Sequence, residues 1–168
     1  DNAAPSLLGG LILIRDNHPL DIIEVPTPPE LICVLVHPHV EVKTRDARQA
    51  LRQSVPLKDA ITQWGNTAAL VAGMMKPDYE LIGRSLQDVV AEPFRAVLIP
   101  GFHSIKAKAV EAGALGCGIS GSGPTVFAFC KGKTIAQKVG AAMQKQFERI
   151  GLQSEVYVSE VNKEGARI

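Results

Sequence analysis

Gly116-Cys117-Gly118-Ile119-Ser120-Gly121-Ser122-Gly123-Pro124-Thr125, running into the apolar Val126-Phe127-Ala128-Phe129-Cys130, is the most constrained stretch of the sequence. Four glycines, two serines and a proline in ten residues call for a backbone that turns tightly, visits positive φ and lets something approach its amides closely. A hairpin with strands over 115–119 and 125–130 accounts for part of this. It needs only about one or two glycines, however, whereas here serines stand between closely spaced glycines. That surplus offers N–H and O–H donors of the kind that hold anionic groups. A plain glycine-rich turn and a ligand-facing loop both remain open at this level.

Composition narrows the classes. The 168 residues make one domain or slightly more, enough to bury a real core. Lys and Arg number 18 against 17 Asp and Glu, so a polybasic surface for nucleic acid or membrane is not expected. Cys33, Cys117 and Cys130 lie in apolar or glycine-rich surroundings, which fits reduced, buried thiols in a cytoplasmic protein and not a disulfide framework. No apolar run reaches membrane-spanning length. The opening Asp1-Asn2-Ala3-Ala4-Pro5 has no methionine and reads as the middle of a longer chain.

Upstream of the glycine stretch, Pro5 to Leu8 reads as a last helical turn stopped by Gly9-Gly10. Leu11 to Ile14 reads as a buried strand, Asp16-Asn17 as a turn and Leu20 to Val25 as the returning strand. Pro26, Pro28 and Pro29 break the chain before Leu31-Ile32-Cys33-Val34-Leu35-Val36, a β-branched run suited to a central strand. His37-Pro38-His39 ends it, and without a carboxylate or cysteine at ligand spacing a metal site there is disfavoured. Thr44 to Leu51 reads as a short helix with Thr44 as N-cap and Asp46 in its first turn, ended by Pro56. Ile61, Trp64, Ala68, Val71 and Met75 recur as one apolar helix face, with the lone tryptophan in the core. Tyr79, Ile82, Leu86 and Val89 repeat the pattern in a helix stopped by Pro93, after which Glu92 to Phe102 reads as a loop. A helix over roughly 104–112 then leads into the glycine stretch. Beyond that stretch Ile135, Val139, Met143, Phe147 and Ile150 mark a long amphipathic helix closed by Gly151. Val156 and Val158 alternate with Glu155 and Tyr157 in a half-exposed strand, and the tail 162–167 reads as solvated.

From residue 30 onward the order strand, helices, strand, turn, strand, helix, strand fits a two-layer α+β domain, with helices on one face of an antiparallel sheet as in ferredoxin-like folds. Residues 118–125 also resemble a glycine-rich motif of the GHMP small-molecule kinases, and further segments narrow that resemblance to the homoserine kinases. These are Asp1-Asn2-Ala3-Ala4-Pro5 before Leu7-Leu8-Gly9-Gly10, Thr44-Arg45-Asp46-Ala47-Arg48, Glu92-Pro93-Phe94-Arg95 with Ile99-Pro100-Gly101-Phe102, and Glu164-Gly165-Ala166-Arg167. The resemblance implies a two-layer ferredoxin-like GHMP C-terminal domain over 29–168, preceded over 1–28 by a helix end and a pair of strands belonging to the N-terminal kinase domain. The family's Pro-x-x-x-Gly-Leu-Gly-Ser-Ser loop, which wraps ATP, does not occur in these residues, nor does the histidine expected just ahead of Asp1. The resemblance therefore implies a C-terminal part, inactive alone, with the ATP and Mg ligands mainly outside it.

The activity so implied is ATP-dependent phosphorylation of the side-chain hydroxyl of L-homoserine to O-phospho-L-homoserine, a cytoplasmic step of threonine biosynthesis. The family resemblance puts Asn2, Arg48 and Arg95 around the substrate, with both arginines on its carboxylate. A guanidinium suits that task, since its planar fork matches a carboxylate bidentately and keeps its charge. A solvated helix charge would equally explain Arg48; Arg95, beside Pro93, is harder to dismiss. Thr44, Gly118, Ser120, Gly121, Ser122 and Gly123 would lie on the phosphate side or brace the loop. No residue is assigned as a catalytic acid or base or as a metal ligand. The implied partner is the small-molecule substrate, without nucleic acid or membrane, and a homodimer is left open. Two alternatives remain: a GHMP kinase acting on another small alcohol, if Arg48 and Arg95 do not converge, and a free-standing ferredoxin-like ligand-binding regulatory module.

Overall fold

The computed structural model describes residues 3–166. The helix α1 (Ala3–Leu8) stops at Gly9 and Gly10, both at positive φ, and β1 (Leu11–Asn17) pairs antiparallel with β2 (Leu20–Val25) as a separate two-stranded sheet. Leu11 to Ile14 is half-buried and not fully buried as its composition suggests, because the small sheet is covered on one face only. The turn falls at His18-Pro19; Asp16 and Asn17 still pair with Asp21 and Leu20.

The main sheet begins with β3 (Leu31–Pro38). The connection after it holds α2 (Thr44–Gln49), α3 (Leu57–Met75), α4 (Tyr79–Ser85), the single turn α5 (Glu92–Arg95), a 3-10 turn Ala96–Leu98 and α6 (Phe102–Glu111). The hairpin β4 (Gly116–Ile119) and β5 (Val126–Lys131) follows, then α7 (Lys133–Arg149) and β6 (Ser154–Glu160). The strand order is β4-β5-β3-β6 with every neighbour antiparallel, the ferredoxin-like arrangement expected from the element order.

Alternation along β3 divides its side chains between the two faces of the sheet. Ile32, Val34 and Val36, with Val126, Ala128 and Cys130 of β5, pack against Phe102, Ile105 and Ala109 of α6 and Val139, Met143 and Phe147 of α7. Leu31 belongs to a second cluster with Val25, Met74 and Ile82, packed by Leu11, Leu13 and Phe129, which ties the small sheet and α3–α4 to the opposite face.

Several sequence expectations change. Lys43, and not Thr44, is the N-cap of α2, and it makes no side-chain cap bond. Pro56 does not end α2 but caps the start of α3. The Ile61–Trp64 face of α3 is not core: Trp64 is 64% exposed and Ile61 56%, whereas Leu70, Val71 and Met74 carry the packing. α4 ends at Ser85, leaving Val89 outside it, and Pro93 lies inside the first turn of α5, where its missing N–H costs nothing. Residues 92–98 are thus helical and not a loop. On α7 the buried stripe is Ala136, Val139, Gly140, Met143 and Phe147, with Ile150 exposed. The tail is exposed at 162–164 and 166, as expected of a solvated segment, yet tied down: Ala166 N donates to Ser6 O at 2.8 Å, and Gly10 N to Asn162 O at 2.7 Å.

Candidate functional site

The glycine hairpin joins β4 to β5 through a turn in which Gly123 N donates to Ser120 O at 2.9 Å and Ser120 N to Thr125 O at 2.9 Å. Gly121 and Gly123 stand at φ +58° and +81°, where a side chain would be strained. Ser120 and Gly121 are exposed, Ser122 and Gly123 half-buried, and Gly118 is buried in β4. Among the described residues the amides of Gly121 and Ser122 have no acceptor, so the tip presents unpaired donors. The surplus glycines are thus accounted for by two left-handed positions at the tip and by close packing at Gly118, whose added Cβ would meet the Phe127 ring at 3.0 Å. On the far strand, His37 Nδ1 and Thr125 Oγ1 share a hydrogen bond of 2.8 Å. His39 instead lies 3.4 Å from Glu155, and no group of His, Cys, Asp and Glu able to hold a metal occurs among the described residues.

Arg95, at the end of α5, reaches two backbone carbonyls. Its Nη1 donates to Gly121 O at 2.9 Å and its Nε to Ala47 O at 3.4 Å. It therefore bridges the tip of the hairpin and α2, whose next residue is Arg48. Arg48 is exposed and its side chain makes no ion pair or hydrogen bond among the described residues, where Arg95 likewise has no carboxylate partner. Arg95 thus touches the residue before Arg48, and among the described residues neither guanidinium has a carboxylate partner, which leaves both charges available to an anion. Thr44 is the exposed first residue of α2, with no hydrogen bond from its hydroxyl among the described residues. Asn2 lies outside the described residues. Arg52 stacks over Phe94 at 4.9 Å, holding the segment after α2 against α5.

A cavity of about 210 Å³ opens beside β4, lined by Gln63, Thr67, Asp88, Glu92, Gly118 and Phe127 among others. Three of these, Asp88, Glu92 and Gly118, belong to the framework under Arg95. Glu92 Oε1 accepts from Lys106 Nζ at 2.5 Å, and Asp88 accepts from the amides of Val90, Ala91 and Glu92 at the entry to α5. Asp88 and Lys106 carry no signal in the sequence beyond a run of charged residues around a turn too short to show a period, Glu92 stands there only as part of the Glu92–Arg95 segment, and His37 only as a disfavoured metal ligand. The three thiols are free. Burial pushes Cys33 up to about 11, and Cys117 and Cys130 up to about 12, so none is a nucleophile near neutral pH.

Residues 69–149 match the family model described as GHMP kinases C terminal, and the chain carries a GHMP kinase C-terminal domain. Within that class its likeness is to homoserine kinases. It is 55% identical over 170 residues to the homoserine kinase of Chlorobium phaeobacteroides strain DSM 266, covering 100% of this chain and 53% of that protein. To the homoserine kinase of Arabidopsis thaliana it is 39% identical over 172 residues, covering 100% and 46%. The crystal structure of homoserine kinase from Cytophaga hutchinsonii superimposes with a TM-score of 0.95 at 52% identity, over 96% of this chain and 51% of that one. A mevalonate kinase from L. major, with R-mevalonate bound, shares the fold alone, at 15% identity and a TM-score of 0.67 over 91% and 50% of the chains. The chain spans about half the length of the curated relatives it matches.

Proposed function

We propose that this chain supplies the substrate-carboxylate and loop-bracing half of an L-homoserine kinase, which transfers the γ-phosphoryl group of ATP to the side-chain hydroxyl and leaves O-phospho-L-homoserine and ADP. The observation that carries the reading is Arg95, a half-buried guanidinium without a carboxylate partner, anchored on Gly121 O and on the carbonyl next to Arg48. In this reading Arg95 and Arg48 take the homoserine carboxylate, with Asn2 and Thr44 beside the substrate. The free amides of Gly121 and Ser122 and the hydroxyls of Ser120 and Ser122 face the phosphate side. Gly118 and Gly123 brace the loop, packed against the Phe127 ring and Ile99 where a Cβ would crowd. These donors fit phosphate oxygens, and ATP bound beside them would supply the transferable phosphoryl group. Phosphoryl transfer asks the protein mainly for positioning and for neutralisation of charge, so donors without a strong base are chemically sufficient. Among the described residues no group of three or more His, Cys, Asp and Glu could hold a metal ion. Threonine biosynthesis and a cytoplasmic setting follow from the same reading.

The test compares L-homoserine with 3-aminopropan-1-ol, which keeps the amine and hydroxyl but lacks the carboxylate, in a chain that carries the N-terminal half found in the relatives. Arg95→Lys keeps the charge and loses the fork, so kcat/KM on homoserine falls by the equivalent of about 1–3 kcal/mol. The amino alcohol, already poor for the parent, is nearly indifferent to the change. Equal damage to both substrates would make Arg95 a structural or phosphate-side residue and remove the carboxylate clamp. The 168 residues alone, given homoserine, ATP and magnesium, yield no phosphohomoserine above background. Turnover by this chain alone would show that the nucleotide site does not need the missing glycine- and serine-rich loop.

A further inference from the structure

The ion pair between Glu92 and Lys106 has no part in the chemistry above, yet it lies directly under it. Lys106 is 25% exposed and Glu92 14%, so both ends are largely withdrawn from water. Glu92 Oε1 takes the ammonium at 2.5 Å, and its other oxygen lies 3.7 Å from where a Cβ on Gly118 would stand. The carboxylate is thus wedged between α6 and the strand that leads into the glycine hairpin. Asp88 holds the same turn from its start. Its Oδ1 accepts from the amides of Val90 and Ala91, each at 2.8 Å, and its Oδ2 from Glu92 N at 3.1 Å. At the far end of α5, Arg95 makes its two bonds to Ala47 O and Gly121 O.

A four-residue helix has no stability of its own, because the cost of its first turn is not repaid by propagation. Where α5 points is therefore decided by what grips it. A half-buried ion pair adds little net stability over apolar groups of the same volume, so direction is what this one supplies. We infer that Asp88, Glu92 and Lys106 are positioning residues: they aim α5, α5 aims Arg95, and Arg95 fixes the carbonyl of Gly121 and with it the donors at the tip of the hairpin. The geometric claim stands on these contacts alone; its kinetic consequence rests on the reading that Arg95 holds the substrate carboxylate.

Two kinds of measurement on a chain of the relatives' full length test this. The first is amide hydrogen exchange at Ser120 and Gly123, which needs no activity. Glu92→Gln is expected to speed exchange there about tenfold while leaving the β3–β6 ladder unchanged. Lys106→Arg, which keeps the charge, preserves most of the protection. The double variant Glu92→Gln/Lys106→Met removes both charges, so it guards against the damage of one left unpaired; its Tm recovers but the loop amides stay fast. The second measurement is kinetic. Glu92→Gln is expected to raise KM for L-homoserine about tenfold, and added to Arg95→Lys it raises KM no further. Unchanged exchange in Glu92→Gln overturns the proposal. So does a double variant in which loop protection and KM return together with Tm, since the pair would then be structural only. If homoserine is not a substrate but the exchange pattern holds, the functional reading fails and the positioning network stands.

Discussion

Gly121 takes φ +58° at an exposed position, so the tip of the hairpin is set by backbone sterics and not by packing. Its carbonyl is also the one Arg95 grips, which links a conformational requirement to the site. Gly121→Ala is expected to cost on the order of 1–2 kcal/mol in urea unfolding and to lower kcat in the complete enzyme by displacing that carbonyl. Near-parent stability and rate would make the loop an ordinary turn. The cysteines give a second prediction at this scale. Burial raises the Cys117 and Cys130 thiols from an ordinary 9.0 to about 12, so the folded chain keeps protons that the unfolded chain gives up. Between about pH 9 and 12 the unfolded state therefore binds fewer protons and stability falls as pH rises; below 9 the contribution is fully present. Tm should decline over that window, the decline should be shallower in Cys117→Ala, and iodoacetamide at pH 8 should leave both thiols unlabelled in the folded chain. Labelling without unfolding would contradict their burial.

Among the elements, the strands bounded by strong breakers were legible from sequence alone. β3 and the β4–β5 hairpin could be read because apolar runs bounded by proline or glycine admit few other arrangements. α3 was legible as a helix but not by face. It carries two apolar stripes, and the more conspicuous one, with Leu57, Ile61 and Trp64, is 69%, 56% and 64% exposed. The buried stripe is confined to its last turns, where Leu70, Val71 and Met74 meet the small sheet. The middle turns are fastened by polar contacts instead, with Val89 N donating to Gln63 Oε1 and Asn66 Nδ2 to Gln87 O. Periodicity reports that a helix has an apolar side, not which side finds a partner. Trp64→Ala in this chain is accordingly expected to change stability by no more than about 0.5 kcal/mol, against about 3–5 kcal/mol for Phe147→Ala in the α7 core. A large loss at Trp64 in thermal unfolding would show that its ring is packed after all. At the site, Arg48 and Arg95 could be picked out only through the family resemblance. α5 escaped notice because one turn shows no period and its anchors, Asp88 and Lys106, come from outside it.

At the scale of the whole molecule, the small sheet and the large one are joined in two ways. One is the cluster of Val25, Leu31, Met74 and Ile82. The other is the tail, which returns to α1 and the glycines after it, with Ala166 N donating to Ser6 O and Gly10 N donating to Asn162 O. The closeness of that return is visible at Gly165, where an added Cβ would fall 1.8 Å from Leu7 O and 2.9 Å from Leu8 N. Both are backbone atoms, so no rotamer change relieves the contact and the tail must lift away from α1. A division near residue 28 treats β1–β2 as belonging with what precedes it, and Gly165→Ala puts that division to the test. If the hairpin depends on the tail, the variant should lose about 1–3 kcal/mol of local stability. Hydrogen exchange should then quicken along β1–β2 while the amides of β3, β5 and β6, held by the α6–α7 core, keep the parent's protection. The two sheets would be separable units with the tail as their clasp. Equal loss of protection in both sheets would instead show one cooperative body in which the boundary at residue 28 has no energetic meaning.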